Sequence, residues 1–460
     1  MARIFQQKTC QPTVLRAMLL PLLLLLSVSC TPEDDDPQTI AGTLVFSQGD
    51  NAGGITVALY PTRSLSSAGI DSIPLPFAIP AITPSILSLI TEPPLVETVT
   101  DADGAFQLEL PDAAQGILCL YDATYVYRLL DAAALPDLAP LTLNTGQTLS
   151  GNYNSAIVIA ADTPVHISGD VLFTVSASLT LQPGVMLTFN NAADLQIAGG
   201  LLIAGSATAP VALFKHPLAI DPLLSINLFS NQSTTVNHAV LAGPVHISSQ
   251  LEPLHLNSTI FFETGGIAVN QSLITDSLFI EDCIFLECET GIRLSDSAPA
   301  VIQNNAFLHC ARAVHWNSSA GVLRQNQFFR DSLGVLFEGS ATGKIEYNHF
   351  LLCREDISLY SNLFPAISYN ESKESCFTFL FVRGGARPTL HYNNVLAPND
   401  YLVYIYTASS LEGRVQAQTN FWDYTDALLI EEHIRDSLDQ HDLLRVDYTG
   451  FLFEPVELNP

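Results

Sequence analysis

From about residue 255 the apolar positions of the chain recur with a fixed period. Phe285, Phe307, Phe328 and Phe350 stand 22, 21 and 22 residues apart. Seven residues after each come Ile292, Val314, Val335 and Ile357, and nine after come Leu294, Trp316, Phe337 and Leu359. Five before stand Ile280, Ile302, Leu323 and Ile345; two before stand Cys283, Asn305, Asn326 and Asn348. Ile260 (with Ile267 and Val269) and Val395 (with Leu390, Asn393, Leu402 and Tyr404) extend the register weakly in both directions. Between Phe350 and Val395 lie 45 residues, about two coils, and the repeat breaks down over 361–388. Columns agreeing at one period describe a single supersecondary unit stacked on copies of itself. A β-rich unit of about 22 residues turned by Asn and Gly predicts an all-β chain, with about three short strands per coil.

Leucine-rich repeats share the period but require a Leu consensus that is missing here. The N-x-F step followed by Gly-Val or Gly-Ile is similar to the repeat of bacterial right-handed parallel β-helix proteins of the pectate-lyase-like fold. Leu179-Thr-Leu-Gln-Pro-Gly-Val-Met-Leu-Thr-Phe189 and Leu195–Gly205 resemble the opening coils of such proteins. Asn420-Phe-Trp-Asp-Tyr-Thr-Asp426 and Val446–Leu452 resemble their closing motif, with Asp423 and Gly450 standing where Gly and Pro are usual. The resemblance implies a β-helix over 146–424 and a C-terminal helix and cap over 425–460. It also implies that Asn305, Asn326 and Asn348 form a hydrogen-bonded ladder at a turn. Thr425 is the expected N-cap of the terminal helix, whose apolar face would carry Ile430, Ile434 and Leu438 and cover the last coil's edge.

Upstream, 39–145 shows short alternating strands divided by Asp/Gly turns, the pattern of a small antiparallel β-sandwich. Thr100, Asp101, Gly104 and Phe106 match the T-D-x-x-G-x-F hairpin of the carboxypeptidase regulatory-like domain, which the segment resembles. That resemblance implies a spacer or adhesive module with no active site. Residues 61–95, rich in Pro, Ser and Ile, read as an insertion between strands. Asp101 and Asp103 would serve either Ca²⁺ or turn capping.

The N-terminus changes the setting. Arg3, Lys8 and Arg16 precede the apolar run Ala17–Val28, which is too short to cross a bilayer and has the flanks of a signal peptide over 1–29. Leu-Ser-Val-Ser-Cys resembles a lipobox with Cys30 as the lipidated residue; ordinary cleavage near Ser29 is the other reading. An acidic tether, 30–38, follows, of the kind that accompanies export of lipoproteins to the outer face of the outer membrane.

The formal charge is −28; losing three of the 18 basic residues with the signal leaves 15 against 46 acidic, or −31. That balance excludes nucleic acid as a partner and repels acidic polysaccharides. Six further cysteines show no metal-site spacing. Cys288, Cys310 and Cys353 each stand three after a Phe anchor, leaving a disulfide between neighbouring coils and a stack of buried thiols both open.

Chemistry can be sought column by column. Four residues before each anchor, Glu281, Gln303, Arg324 and Glu346 should point outward. Glu281 and Glu346 are three coils apart, roughly 14 Å at strand spacing, whereas paired glycosidase carboxylates need about 5–9.5 Å. The histidines share no column. Trp316 lies in an apolar column and reads as core, as does Trp422. Tyr401, Tyr404 and Tyr406 alternate on one strand with one inward position. No catalytic set and no cofactor is called for. The expectation is a non-catalytic cell-envelope lipoprotein with a β-helix scaffold for binding or adhesion, to glycans or surface proteins. A polysaccharide lyase or glycoside hydrolase is the alternative, and assembly into a surface layer is a third.

Overall fold

The computed structural model describes residues 39–458, apart from 64, 66–70, 72, 112–115, 133–139, 221–222, 230–231, 233, 244, 250–253, 271–277, 297–298, 319, 362, 398–399 and 409–412. Residues 1–38, which include the signal segment, Cys30 and the tether, lie outside the described residues. Among the described residues no helix is long and apolar enough to cross a membrane.

From Gln147 onward the chain winds into a parallel β-helix with three strand-bearing faces. The first face stacks three-residue strands such as Ile284–Leu286, Ala306–Leu308, Gln327–Phe329 and His349–Leu351. The second stacks Thr290–Ser295, Arg312–Asn317, Leu333–Glu338 and Glu355–Tyr360, and the third Leu278–Glu281, Ala300–Gln303, Ala320–Arg324 and Thr342–Glu346. Each strand pairs in parallel with its counterpart one coil on. In that register Phe285, Phe307, Phe328 and Phe350 are successive partners, as are Ile292, Val314, Val335 and Ile357. The phenylalanine rings, from Phe261 to Phe350, stack nearly parallel with centroids 4.6–5.0 Å apart. One coil advance is one interstrand spacing, so identical side chains meet face to face.

The corners explain the Asn column. Residues immediately before it take left-handed backbone: Asp282, Asn304, Gln325, Tyr347, Tyr369, Tyr392 and Thr419 have φ of 53–57°. Such a conformation costs an L-residue about 1–2 kcal/mol, and the next residue offsets part of that. Asn326 Oδ1 accepts both the backbone N–H and the side-chain N–H of Asn305, each at 3.0 Å. Asn305 also donates to the Ile280 carbonyl at 2.9 Å. The same pattern links Asn326 to Asn348, and Asn348 onward through Asn370 and Asn393 to Asn420.

Asn370 corrects one expectation. The stretch 361–388 was expected to be irregular, yet Ala366–Ser368, Glu371–Lys373 and Thr378–Arg383 supply one strand to each face. Ser372 occupies the Phe position, paired between Phe350 and Val395. Buried Asp356 accepts hydrogen bonds from Ser372 and Ser375 there, so a polar cluster replaces the ring.

The N-terminal residues form two small sheets. Ala105–Glu109, Thr39–Phe46 and Leu141–Leu143 make one; Val96–Val99, Thr56–Pro61, Gly116–Tyr121 and Val126–Asp131 make the other. Side chains from both, including Leu44, Phe106, Leu59 and Leu118, share one apolar cluster. An all-antiparallel arrangement was expected, but Leu141–Leu143 runs parallel to Thr39–Phe46. In the Asp101 hairpin, Gly104 has φ 79°, and a Cβ there would lie 2.2 Å from the Leu44 carbonyl oxygen.

The insertion contains the helix Thr83–Thr91, which packs on the outer side of the β-helix's first face. Ile86, Leu87 and Ile90 join Met186, Phe214, Val240, Ile260, Phe262, Ile284 and Leu286 in one buried cluster. Arg63 adds a guanidinium 4.8 Å from the Phe262 ring centroid and an ion pair to Glu287 at 2.8 Å. The first face is thus covered on both sides, which is why its strands are apolar at outward as well as inward positions.

At the C-terminus the helix is shorter than expected, Ala427–Glu432, and its N-cap is Asp426, whose side chain accepts from the Leu428 N–H. Ile434 leaves the helix and pairs as a strand with Val403. Ile430 and Ile434 are buried but Leu438 is 61% exposed, so the predicted face is divided between helix, strand and surface.

Candidate functional site: an aromatic surface on the last coils

The outward side of the second face changes character along the helix axis. One register column reads Arg293, His315, Leu336, Ser358, Phe381 and Tyr404, ending on Arg435. Beside it, Ser295, Asn317 and Glu338 are successive partners, and further along Tyr360 pairs with Arg383. Arg293, Ser295, His315, Asn317 and Glu338 are polar, with His315 Nε2 2.9 Å from Glu338 Oε2, whereas Leu336 and Ser358 are buried. From Tyr360 onward the surface is aromatic.

A register shift shapes this end. Val382 pairs with Ile405, but Arg383 pairs with Thr407, so Tyr406 is an extra residue in its strand. A bulge of this kind re-aims a side chain, and Tyr406 is 47% exposed. Its ring lies 5.9 Å from Phe381, and Phe381 stacks on Tyr404 at 5.6 Å. Half-buried Phe377 packs beside them, 5.1 Å from Tyr404 and 5.8 Å from Tyr401. The Arg383 guanidinium sits 5.5 Å from the Tyr360 ring and 5.7 Å from the Tyr406 ring, while Arg435 lies 4.7 Å over Tyr404. Stacking holds the Arg383 fork in place and leaves its edge donors available. Rigid rings beside positioned donors suit a ligand with apolar C–H faces and hydroxyl rims.

An inward position was expected among Tyr401, Tyr404 and Tyr406. The inward positions belong to Val403 and Ile405, and all three tyrosines reach the surface. The signal was the odd spacing of Tyr-Leu-Val-Tyr-Ile-Tyr-Thr, which a strict two-residue alternation misreads.

The other predicted residues lie elsewhere. Glu281, Gln303, Arg324 and Glu346 are successive register partners on the third face. Arg324 donates twice to Gln303 Oε1, at 2.9 and 2.6 Å. That column separates the two glutamates and brings no carboxylate pair together. Trp316 and Trp422 are fully buried. Cys288, Cys310 and Cys353 are buried free thiols. Asp331, overlooked in the sequence, stands in the same column between Cys310 and Cys353; its Oδ1 accepts from the Cys310 N–H at 2.6 Å. Burial pushes its carboxyl well above the usual range. Asp101 Oδ1 accepts from the Asp103 and Ala105 N–H groups, both at 2.9 Å, in the geometry of a turn cap. Among the described residues no three His, Cys, Asp or Glu are grouped to hold a metal ion.

A family model described as "Right handed beta helix region" matches residues 257–421, the coils that carry the Asn ladder and the aromatic surface. No curated protein and no solved structure matches the chain. Together with the stacked parallel faces, the match makes this a right-handed β-helix repeat protein.

Proposed function

We propose that this chain is a non-catalytic outer-membrane lipoprotein, lipidated at Cys30 and exposed at the cell surface, whose β-helix binds glycan. The observation that carries the reading is the bulge at Tyr406, which with Tyr360 flanks Arg383 beside the Phe381–Tyr404 stack. The formal charge of −31 left once residues 1–29 are removed favours neutral over acidic glycans. The N-terminal sheets read as a carboxypeptidase regulatory-like sandwich. The packing of the sheet that contains Thr56–Pro61 against the first face supports a fixed adaptor over a loose spacer. A glycoside hydrolase would need paired carboxylates near a sugar path; the Glu281–Glu346 column interposes Gln303 and Arg324, and the neighbouring Glu263 and Glu287 lie beside Arg63, which is ion-paired to Glu287.

The test is binding of the full chain to a panel of neutral polysaccharides, with product analysis on the same samples. Binding without new reducing or unsaturated ends is expected. Tyr406→Ala should weaken it about tenfold, the effect of losing roughly 1–1.5 kcal/mol of ring contact. Unchanged affinity in that variant, or no glycan bound at all, removes the reading.

A further inference from the structure

Two histidines are buried where an N-terminal sheet lies on the first coils of the β-helix. His166 is the register partner of Thr148 and Thr188. His216 follows the strand Val211–Lys215, and its backbone N–H donates to the Phe189 carbonyl at 3.0 Å. Both side chains are buried. The turn between Gly116–Tyr121 and Val126–Asp131 covers them: Tyr121 meets His216 edge-on at 5.7 Å, and Tyr125 meets His166 at 6.3 Å. Two polar contacts fasten the same turn. Asn190 Nδ2 donates to the Ala123 carbonyl at 2.9 Å, and the Tyr125 and Thr148 hydroxyls lie 2.7 Å apart.

The seam holds neutral rings. His216 Nδ1 accepts from the Leu218 N–H at 3.2 Å, which places the ring proton on Nε2. Among the described residues neither His216 Nε2 nor His166 Nδ1 has a hydrogen-bond partner. A second proton on His216 would set a ring N–H against the Leu218 N–H, and two imidazolium rings would repel each other. Burial lowers both pKa values, that of His216 from the ordinary 6.5 to about 4, and the nearness of His166 adds to the effect. Asp122 opposes the shift, but its Oδ1 already accepts from the Thr124 and Tyr125 N–H groups and its Oδ2 from the Tyr127 hydroxyl. Tyr121 donates to Glu97 at 3.3 Å, and burial pushes it up to about 12; burial also raises Tyr60, Cys119 and Tyr127. Lys215, next to His216 in the chain, lies near Glu263. The helix Thr83–Thr91 makes a second contact, around Phe214, Val240 and Ile260, and carries no titratable side chain.

We propose that this seam is an acid-operated joint: protonation of His166 and His216 lifts the Asp122–Tyr125 turn off the β-helix while the helix Thr83–Thr91 keeps its place. Because burial depresses its pKa, His216 favours the closed seam fully above about pH 6.5, and that contribution is lost as pH falls through about 4. Protonation of His216 alone weakens closure about a hundredfold over that range.

Hydrogen exchange of the full chain tests this, read by peptide mass at pH 7.5 and pH 4 with labelling times scaled to the intrinsic rates. Exchange over 116–131 is expected to rise by up to about a hundredfold at pH 4, with 320–338 unchanged. His166→Gln with His216→Gln keeps an uncharged donor and acceptor at each site and should abolish the rise. His166→Gln alone, at the less deeply buried site, should reduce it, and carries the comparison if the double variant does not fold. No rise in the parent overturns the proposal. So does a rise undiminished in the glutamine variants, which would assign it to Asp122, or one spread over every coil, which is global unfolding.

Discussion

Asp356 is a carboxyl placed where the neighbouring coils supply apolar or small side chains. It is fully buried, and burial pushes its pKa from the ordinary 3.8 up to about 7, although hydrogen bonds from Ser372 and Ser375 pull it down. One of its oxygens, Oδ1, has no hydrogen-bond partner. Protonation removes the cost of burying a charge there. In the folded state the group therefore holds its proton to higher pH than in the unfolded chain. Its contribution to stability is fully present below about pH 4 and is lost as pH rises through about 7. Asp331, also raised, acts in the same direction. Repulsion among the other acidic residues falls with acid as well, so a single curve does not isolate Asp356. Comparison with Asp356→Asn does. The parent should lose more denaturant resistance between pH 5 and pH 8.5 than the variant, measured by chemical unfolding at both values. Parallel pH profiles would show that the carboxyl is already ionised in the fold.

At the level of elements, the helix Thr83–Thr91 is, among the described residues, the helix pressed onto the β-helix wall. Ile86 and Leu87 are fully buried, and Ile90 is 7% exposed, in the cluster with Phe214, Val240 and Ile260. Ile86→Ser with Ile90→Ser puts hydroxyls into that contact and empties volume, at about 2–5 kcal/mol for each large apolar side chain removed. Limited proteolysis should then cut within 61–95 while the β-helix fragment survives. An unchanged digestion pattern would mean that the sheets hold the insertion without the helix. Sequence reading missed this contact for a physical reason. Periodicity identifies which residues face the interior, and Phe285 and Phe307 announced themselves through their columns. Ile284, Leu286, Ala306 and Leu308 flank those anchors and point out, so nothing local says what covers them. Apolar residues on both sides of a three-residue strand were the available hint. The coil around Ser372 was hidden differently. Its Phe is replaced by a Ser–Asp–Ser cluster, which broke the column by which Asn370 would have been recognised. At the candidate site the tyrosines were visible, but the bulge that turns Tyr406 outward depends on pairing with the previous coil and has no local signature.

The whole molecule follows from a one-dimensional rule, because each coil of the β-helix pairs its strands only with the coil before and the coil after. Removing one complete unit should therefore leave every remaining residue in its column. Deleting residues 329–350 joins Phe328 directly to Leu351, so the residue that followed Phe350 now follows Phe328. Ile357 and Leu359 keep their offsets of seven and nine from a phenylalanine, and Asn326 meets Asn370 across the junction, restoring the ladder. The deleted coil lies before the Tyr406 surface and at the margin of the face covered by Ile86 and Ile90. Deleting only 329–339 removes half a unit and places corner residues where strands should stack, so polar side chains turn inward. The full-unit deletion is expected to give a soluble chain with the parent's far-UV spectrum and one cooperative thermal transition. The half-unit deletion should be insoluble or unfolded. If both deletions fold alike, or both fail, coil-by-coil register is not what organises this chain, and the stacked phenylalanines and asparagines would need another explanation.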